Sequence, residues 1–187
     1  MTNKKIKIHV KNNHWAPGSF PTDAEGEENF TITKEHLNQA LKNFPDIKEK
    51  VEIFVDWDED NFKTSMTDSD ILLAWSFPTT NLKKVAPNLK WIHIISAGVE
   101  HLLPLDWMFD GLVLTNSSGV HAKKAGEYGL MSILMLQNHM TKIITNQKDK
   151  KFVSLFSNPI AGKTIVLVGT GSLGSSMAKL VAPLGAN

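Results

Sequence analysis

The sequence contains no cysteine and no arginine, and its apolar stretches are short. Without cysteine the chain has neither disulfide bonds nor thiolate metal sites, which is compatible with a reducing cytoplasm. No apolar run approaches the roughly 20 residues that a membrane-spanning helix needs. Residues 1–5 lead into a short strand pattern instead of a signal-peptide core. We therefore expect a cytoplasmic protein with no membrane partner.

The charge is nearly balanced, and every basic residue is a lysine. The 20 lysines and 19 acidic residues give a formal net charge of +1. No lysine cluster alternates with aromatic side chains, so the sequence predicts no nucleic-acid partner. With 187 residues, 42% of them hydrophobic and 21% charged, the composition is typical of a globular protein of one or two domains.

Short apolar strand patterns alternate with helical patterns over the first 120 residues. This alternation predicts an α/β fold whose parallel sheet is covered on both faces. The predicted strands are residues 6–10, 51–55, 71–75, 91–95 and 112–115, separated by a long polar loop through residue 29 and by helices over 34–43 and 81–85.

A longer helical pattern runs from residue 121 or 122 to 146. Its apolar side chains form a broad stripe that includes Leu130, Leu134 and Ile143. A stripe of this width predicts a core helix or a subunit interface. We expect a homodimer through this helix.

A glycine-rich turn follows an apolar run near the end of the chain. Residues Thr164–Val168 predict a strand, Gly169, Gly171 and Gly174 give the spacing G-x-G-x-x-G, and residues 175–181 predict a helix. This strand–turn–helix order is the context of a dinucleotide fingerprint. Glycines at such a junction can also be turn residues alone. A P-loop is excluded, because a serine stands where its lysine is required.

Three sequence blocks together resemble the D-isomer-specific 2-hydroxyacid dehydrogenases, with the glyoxylate/hydroxypyruvate reductase branch the nearest. The blocks are Asn88–Leu103, Leu114–Val120 followed by Ala125–Tyr128, and Ala161–Gly174. The resemblance covers roughly residues 70–187. It implies a flavodoxin-like substrate domain over residues 1–120. It also implies an interdomain helix and the first βα unit of a Rossmann nucleotide-binding domain over 121–187.

The resemblance implies a substrate site at the carboxyl ends of the strands. The backbone N–H groups of Ala97 and Gly98 would hold the substrate carboxylate, since glycine lets backbone donors approach an anion. Trp75 and Ser76 follow the third strand and would lie at the same edge. Gly98 can alternatively be a simple turn residue.

The same resemblance implies NAD or NADP as cofactor and a 2-keto acid as substrate, which hydride transfer reduces to a D-2-hydroxy acid. Backbone groups of the fingerprint would contact the pyrophosphate, and one serine would approach the nicotinamide. The implied cofactor-binding residues are Ser117, Gly169, Gly171, Ser172, Leu173 and Gly174.

The chain departs from the family where the chemistry occurs. Family members carry a catalytic Arg, Glu and His after the fingerprint, whereas this sequence has no arginine and places all seven histidines before it. We therefore predict no catalytic residue in this chain, which we expect to be C-terminally truncated and inactive alone. It is alternatively a non-catalytic remnant, a dimerising binding module, or part of a longer enzyme. His93 and His101 are predicted to be structural.

No metal site is predicted. The run Asp56–Asn61 begins like a calcium-binding loop, but Asn61 replaces the required glycine and Thr67 replaces the bidentate glutamate. We interpret it as a solvated loop.

Overall fold

The computed structural model describes residues 4–16, 18 and 27–187, so the polar loop predicted before residue 29 lies largely outside the described residues. The chain divides into two compact units, Met1–Ser117 and Ser118–Asn187. Among the described helices, none is long and apolar enough to span a membrane.

The first unit contains one parallel sheet. Its strands are β1 Ile6–Asn12, β2 Val51–Trp57, β3 Ile71–Ala74, β4 Trp91–Ile94 and β5 Val113–Asn116. The five strands lie in the order β2-β1-β3-β4-β5, and every neighbouring pair is parallel. This is the flavodoxin-like order, so the predicted α/β class is confirmed.

Helices follow most of the strands. The described α-helices are α1 Lys34–Leu41, α2 Pro45–Lys48, α3 Phe62–Met66, α4 Leu82–Val85, α5 Ala122–Gln137, α6 Met140–Lys148 and α7 Ser172–Val181. The hydroxyl of Thr33 accepts a hydrogen bond from the His36 N–H at 3.1 Å and so caps α1, as is typical of a threonine directly before a helical pattern. Short 3-10 helices cover Glu27–Phe30, Glu100–Leu102, Leu105–Trp107 and Ala182–Leu184.

One face of the sheet forms the core of the first unit. Leu72, Ile92 and Ile94 are completely buried there. Phe62 and Met66 of α3 belong to the same cluster. Each such side chain contributes roughly 1.5–3 kcal/mol by leaving water, so this face supplies much of the stability.

The opposite face is less covered than the sequence predicts. Ile6, Trp91 and Val113 share that face by register, and they are 44%, 41% and 54% exposed. Val10 on the same face is completely buried, so among the described residues this face is covered only in part. Short apolar strands look alike whether one or both faces are buried, so the pattern alone could not decide this.

In the second unit, α5 and α7 pack closely. Gly126 of α5 is buried, and a Cβ at this position would lie 2.6 Å from the Ser176 hydroxyl oxygen and 3.2 Å from Leu180 of α7. Only a glycine allows so close an approach at this point, because any larger residue would push the helices apart.

The helix predicted over residues 122–146 is interrupted. α5 ends at Gln137 and α6 begins at Met140, with His139 in the left-handed region at φ 55°. The Asn138 amide donates to the Leu134 carbonyl at 2.8 Å, and the Ser157 hydroxyl donates to Asn138 Oδ1 at 2.8 Å. These bonds tie a distant segment to the break, which explains why helical periodicity missed it.

The strand predicted over Thr164–Val168 is also absent from the structure. No neighbouring strand pairs with it, and Val166 and Val168 are 80% and 100% exposed. Among the described residues, the backbone hydrogen bonds of this segment and of Lys163 before it include two with Asn187: the Asn187 N–H donates to the Lys163 carbonyl, and the Asn187 carbonyl accepts from the Ile165 N–H, both at 2.8 Å. A lone strand leaves its backbone groups to water, so the apolar pattern is not sufficient to form one.

Hydrogen exchange should distinguish the two apolar runs. We expect strong amide protection over residues 92–95, which lie in the paired centre of the sheet, and little protection over 165–168. Mass-spectrometric or NMR exchange on the intact chain measures both. Equal protection of the two runs would contradict the assignment, unless another chain covers the second run.

A completely buried histidine lies beneath the sheet. His9 Nδ1 is 2.9 Å from the Met66 sulfur, and Nε2 is 3.8 Å from Asp56 Oδ2. Neither His9 Nε2 nor Asp56 Oδ2 has a hydrogen-bond partner. Burial lowers the pKa of His9 from 6.5 to about 4, although the nearby Asp56 opposes this shift.

The buried imidazole makes stability depend on pH. The unfolded chain binds a proton below pH 6.5, whereas the folded chain does so only near pH 4. The free energy of unfolding should therefore fall as pH decreases between these values, by up to about 3 kcal/mol. Urea unfolding of the wild type and of His9→Leu at several pH values measures this contribution, with the exposed-site variant His36→Gln as control. If the free energy of unfolding of His9→Leu depends on pH as steeply as that of the wild type, His9 is not the source.

Candidate functional site

The residues predicted to bind substrate lie at one edge of the first unit. Trp75 follows β3, the loop Ser96–Gly98 follows β4, and Ser117 follows β5. The ladder continues past the strand ends, since the Ile95 N–H donates to the Ala74 carbonyl and the Ser117 N–H donates to the Ser96 carbonyl, both at 3.0 Å. These bonds fix the three strand ends relative to one another, so the fold brings the predicted substrate residues together.

The loop after β4 presents backbone donors. The Ser96 hydroxyl donates to the Gly98 carbonyl at 2.6 Å and holds the loop closed. The N–H groups of Ala97 and Gly98 have no acceptor among the described residues. Two adjacent unpaired amides at a sheet edge form a concavity suited to an anion.

A carboxylate lies against this loop. A Cβ added at Gly98 would be 2.8 Å from Glu100 Cδ, so the Glu100 side chain covers the glycine. Glu100 is exposed and begins the 3-10 helix Glu100–Leu102. An exposed glutamate is free to turn away, and it must do so before another anion approaches the loop, because like charges repel.

Aromatic side chains line the same edge beside Trp75. Trp15 and Phe30 contact its ring edge-on at centroid distances of 5.5 and 6.1 Å. The His101 ring stacks on Trp75 at 6.1 Å, and His101 Nε2 donates to the Trp75 carbonyl at 2.7 Å. Sequence analysis missed Trp15 and Phe30. The only indication in the sequence was a tryptophan, Trp15, shortly after the first strand, and no sequence pattern linked it to Trp75 after the third strand.

Two histidines interpreted as structural have partners in the structure. His101 is bonded to Trp75 as above. His93 Nδ1 lies 2.9 Å from the Thr115 hydroxyl, and its Nε2 lies 3.2 Å from the Ser117 hydroxyl. Burial lowers the pKa of His93 below its ordinary value. An uncharged imidazole is therefore the form at neutral pH.

The glycine fingerprint lies in the second unit. Gly169 has φ 102°, a conformation that favours glycine. A Cβ at Gly174 would collide with the Gly169 carbonyl oxygen and lie 3.2 Å from its carbonyl carbon. A Cβ at Gly171 would meet nothing within 4 Å, and α7 begins at Ser172. The first N–H groups of α7, including those of Ser172, Leu173 and Gly174, have no partner within the helix and suit an anion.

No group of three or more potential metal ligands is found among the described residues. The run interpreted as a solvated loop is different in the structure: Asp56 and Trp57 belong to β2, and Asp56 is buried. The loop interpretation of these two residues is therefore wrong. The acidic residues that follow them made this end of β2 look like a loop, although pairing in the sheet buries Asp56.

No protein-family model matches the chain. Erythronate-4-phosphate dehydrogenase from Shewanella loihica is 28% identical over 126 residues, which are 66% of this chain and 29% of that protein. The similarity therefore lies within less than a third of the relative's length.

Solved structures share the fold. A D-isomer specific 2-hydroxyacid dehydrogenase from Xanthobacter autotrophicus, in complex with NADPH and MES, matches with a TM-score of 0.69 at 16% identity, over 95% of this chain and 52% of that one. D-Lactate dehydrogenase from Aquifex aeolicus, complexed with NAD and lactic acid, matches with a TM-score of 0.55 at 16% identity, over 96% of this chain and 49% of that one.

The chain thus has the fold of the D-isomer-specific 2-hydroxyacid dehydrogenases, and the predicted resemblance is confirmed. Among curated proteins, its sequence is similar to the erythronate-4-phosphate dehydrogenases. It spans about half the length of the matched structures.

The fingerprint glycines should respond differently to a methyl group. Gly174→Ala forces the Gly169 carbonyl to move and should loosen the turn and the start of α7, costing on the order of 1–3 kcal/mol. Gly171→Ala meets open space and should change stability by less than about 0.5 kcal/mol. Denaturant unfolding and hydrogen exchange of α7 compare the pair. A Gly174→Ala protein as stable as the wild type would refute the close approach.

Proposed function

We propose that this chain carries the substrate-binding domain and the beginning of the nucleotide-binding domain of an NAD(P)-dependent 2-hydroxyacid dehydrogenase. Such an enzyme reduces a 2-keto acid to a D-2-hydroxy acid by hydride transfer. The observation that carries the proposal is the pair of unpaired amides at Ala97 and Gly98, located at the carboxyl edge of a sheet with this family's fold.

The substrate group we assign to that loop is a carboxylate. It would accept hydrogen bonds from Ala97 and Gly98 in place of water. Trp75 supplies a flat apolar wall beside the loop, and Ser76 follows it at the same edge. A small 2-keto acid has this combination of one anionic end and a short carbon chain.

The cofactor we assign is NAD or NADP, which supplies the hydride. The residues present fit its pyrophosphate: Gly171 leaves open space in front of the backbone, and the first turn of α7 offers free N–H donors. Ser117 is assigned to the nicotinamide end. The two matched structures, which are complexes with NADPH and with NAD, support this class of cofactor without selecting between them.

The catalytic Arg, Glu and His that the family resemblance implies have no counterpart after the fingerprint in this sequence. The developing oxyanion requires a cation, and the reaction requires a proton donor held against the carbonyl. The sequence has no arginine, and the described histidines nearest the substrate loop, His93 and His101, are held by other residues. We infer that these 187 residues bind ligands but do not turn them over alone. A cytoplasmic location suits this function and the absence of cysteine.

Cofactor binding tests the proposal. NADH titrated into the intact chain should perturb the NMR signals of residues 171–174, with weak affinity. Gly171→Val should abolish these changes, because its side chain would occupy the space in front of the backbone while nothing in the protein opposes it. An exposed-site variant, Lys148→Ala, should bind as the wild type does. Wild-type protein that shows no change at these residues would refute the proposal.

Turnover is the second test. Losing general acid catalysis alone costs about 10²–10⁴-fold, and losing the oxyanion partner costs more. We therefore expect no measurable reduction of glyoxylate, hydroxypyruvate or pyruvate by NADH or NADPH. A rate of a few per second, from protein whose mass shows that it ends at Asn187, would contradict the inferred inactivity.

A dimerising module is the second candidate. An apolar groove of about 610 Å³ runs along α5 and is lined mainly by Leu130, Met131, Leu134 and Met135. Methionine-rich apolar surfaces are typical of interfaces. A second copy of the chain placed on this groove would give a homodimer with or without enzymatic activity.

Sedimentation analysis tests the dimer. The wild type should sediment as a dimer at micromolar concentration, and Met131→Lys with Leu134→Lys should give a monomer, because two buried charges would oppose association. Lys142→Ala serves as a control on α6. A monomeric wild type would remove this candidate.

A further inference from the structure

Four side chains on β4, on β5 and directly after β5 form a continuous hydrogen-bond network. The Trp91 indole nitrogen lies 2.7 Å from the Thr115 hydroxyl oxygen. This hydroxyl is 2.9 Å from His93 Nδ1, and His93 Nε2 is 3.2 Å from the Ser117 hydroxyl. Alternate residues of neighbouring strands share a face of the sheet, which explains why these four side chains meet.

The Trp91 indole sets the donor-to-acceptor direction of this hydrogen-bond network. An indole N–H only donates, so the Thr115 hydroxyl accepts from Trp91. The single Thr115 proton then has two possible acceptors, His93 Nδ1 at 2.9 Å and the Ile92 carbonyl at 3.4 Å. The shorter contact is the stronger hydrogen bond. On the assignment in which Thr115 donates to His93, Nδ1 is an acceptor and the ring proton resides on Nε2.

The direction continues to Ser117. His93 Nε2–H donates to the Ser117 hydroxyl oxygen, so this oxygen uses its own proton elsewhere. Within the described residues its acceptor is the Ile94 carbonyl at 3.4 Å, which is longer than a normal hydrogen bond. The Ser117 proton is thus available to a better acceptor outside the protein.

We propose that His93 is a positioning residue, which holds the Ser117 hydroxyl as a donor toward a carbonyl oxygen of the bound ligand. The inference rests on the proposed function, in which Ser117 lies at the nicotinamide end of the cofactor. The carboxamide carbonyl of nicotinamide is the matching acceptor.

The other side chains of this sheet face favour a specific role over incidental contacts. Its remaining positions on β3 and β5 include Ile71, Leu73 and Val113, all apolar. Both ring nitrogens of His93 have hydrogen-bond partners, and the hydrogen-bond network ends at Ser117, at the carboxyl edge where ligands bind in such sheets.

The tautomer of His93 is the first test. Long-range ¹H–¹⁵N NMR of the intact chain at pH 7 should show His93 uncharged, with its proton on Nε2. Thr115→Val removes the donor to Nδ1 and should shift its ¹⁵N resonance, whereas Thr115→Ser keeps the hydroxyl and should restore it. If the wild-type His93 ring is protonated on Nδ1, the hydrogen bonds run in the opposite direction, and the inference is overturned.

A double-mutant cycle with NADH is the second test. Ser117→Ala should weaken binding by about three- to tenfold, the worth of one hydrogen bond. His93→Leu should weaken it too, but only where Ser117 is present, so the double variant should bind no worse than Ser117→Ala. Additive losses would show that His93 does not act through Ser117 and would overturn the inference.

Failure of the proposed function gives a different result. If NADH changes no signal in residues 171–174 of the wild type, the cofactor assignment fails, and the ligand part of this inference fails with it. The tautomer result then decides by itself whether His93 orients Ser117. Normal NADH binding with the wrong tautomer overturns only the role of His93.

Discussion

A strand of a parallel sheet is stable only beside other strands, because its N–H and C=O groups point outward along both sides. In the first unit, β1, β3 and β4 each have a neighbour on both sides. The apolar run after residue 163 pairs with no described strand, and its Ile165 N–H donates to the Asn187 carbonyl. This difference in pairing explains why two similar apolar patterns have different structures, one a buried strand and the other an exposed segment.

The same pairing creates the candidate site. Parallel strands end at one edge, so residues that are 20 or more positions apart in sequence come together there. The backbone bonds from Ile95 to Ala74 and from Ser117 to Ser96 extend this order into the loops. The amides of Ala97 and Gly98, which we propose as a carboxylate site, are thereby held on a rigid support.

Packing decides features that local patterns do not encode. The break at Asn138–His139 depends on hydrogen bonds to Ser157 and Phe156, which are close in space but not in sequence. The burial of Asp56 depends on the sheet and on α3. The aromatic wall around Trp75 combines residues that follow different strands. Hydrophobic periodicity is a local property and does not link residues that are distant in sequence. Sequence analysis therefore missed the helix break, the buried Asp56 and the aromatic side chains around Trp75.

The sequence by itself determined the positions of the five strands, the cap of α1, the glycine turn and the family likeness, because period-2 apolar runs, capping residues and glycine spacing are local properties. The strand ends differ from prediction by one or two residues, as expected for fraying termini. Tertiary structure decided which strands pair, which face of the sheet is buried, and how His93 connects Trp91 to Ser117. Those outcomes depend on contacts between residues distant in sequence, whose free energies appear only when the chain is folded.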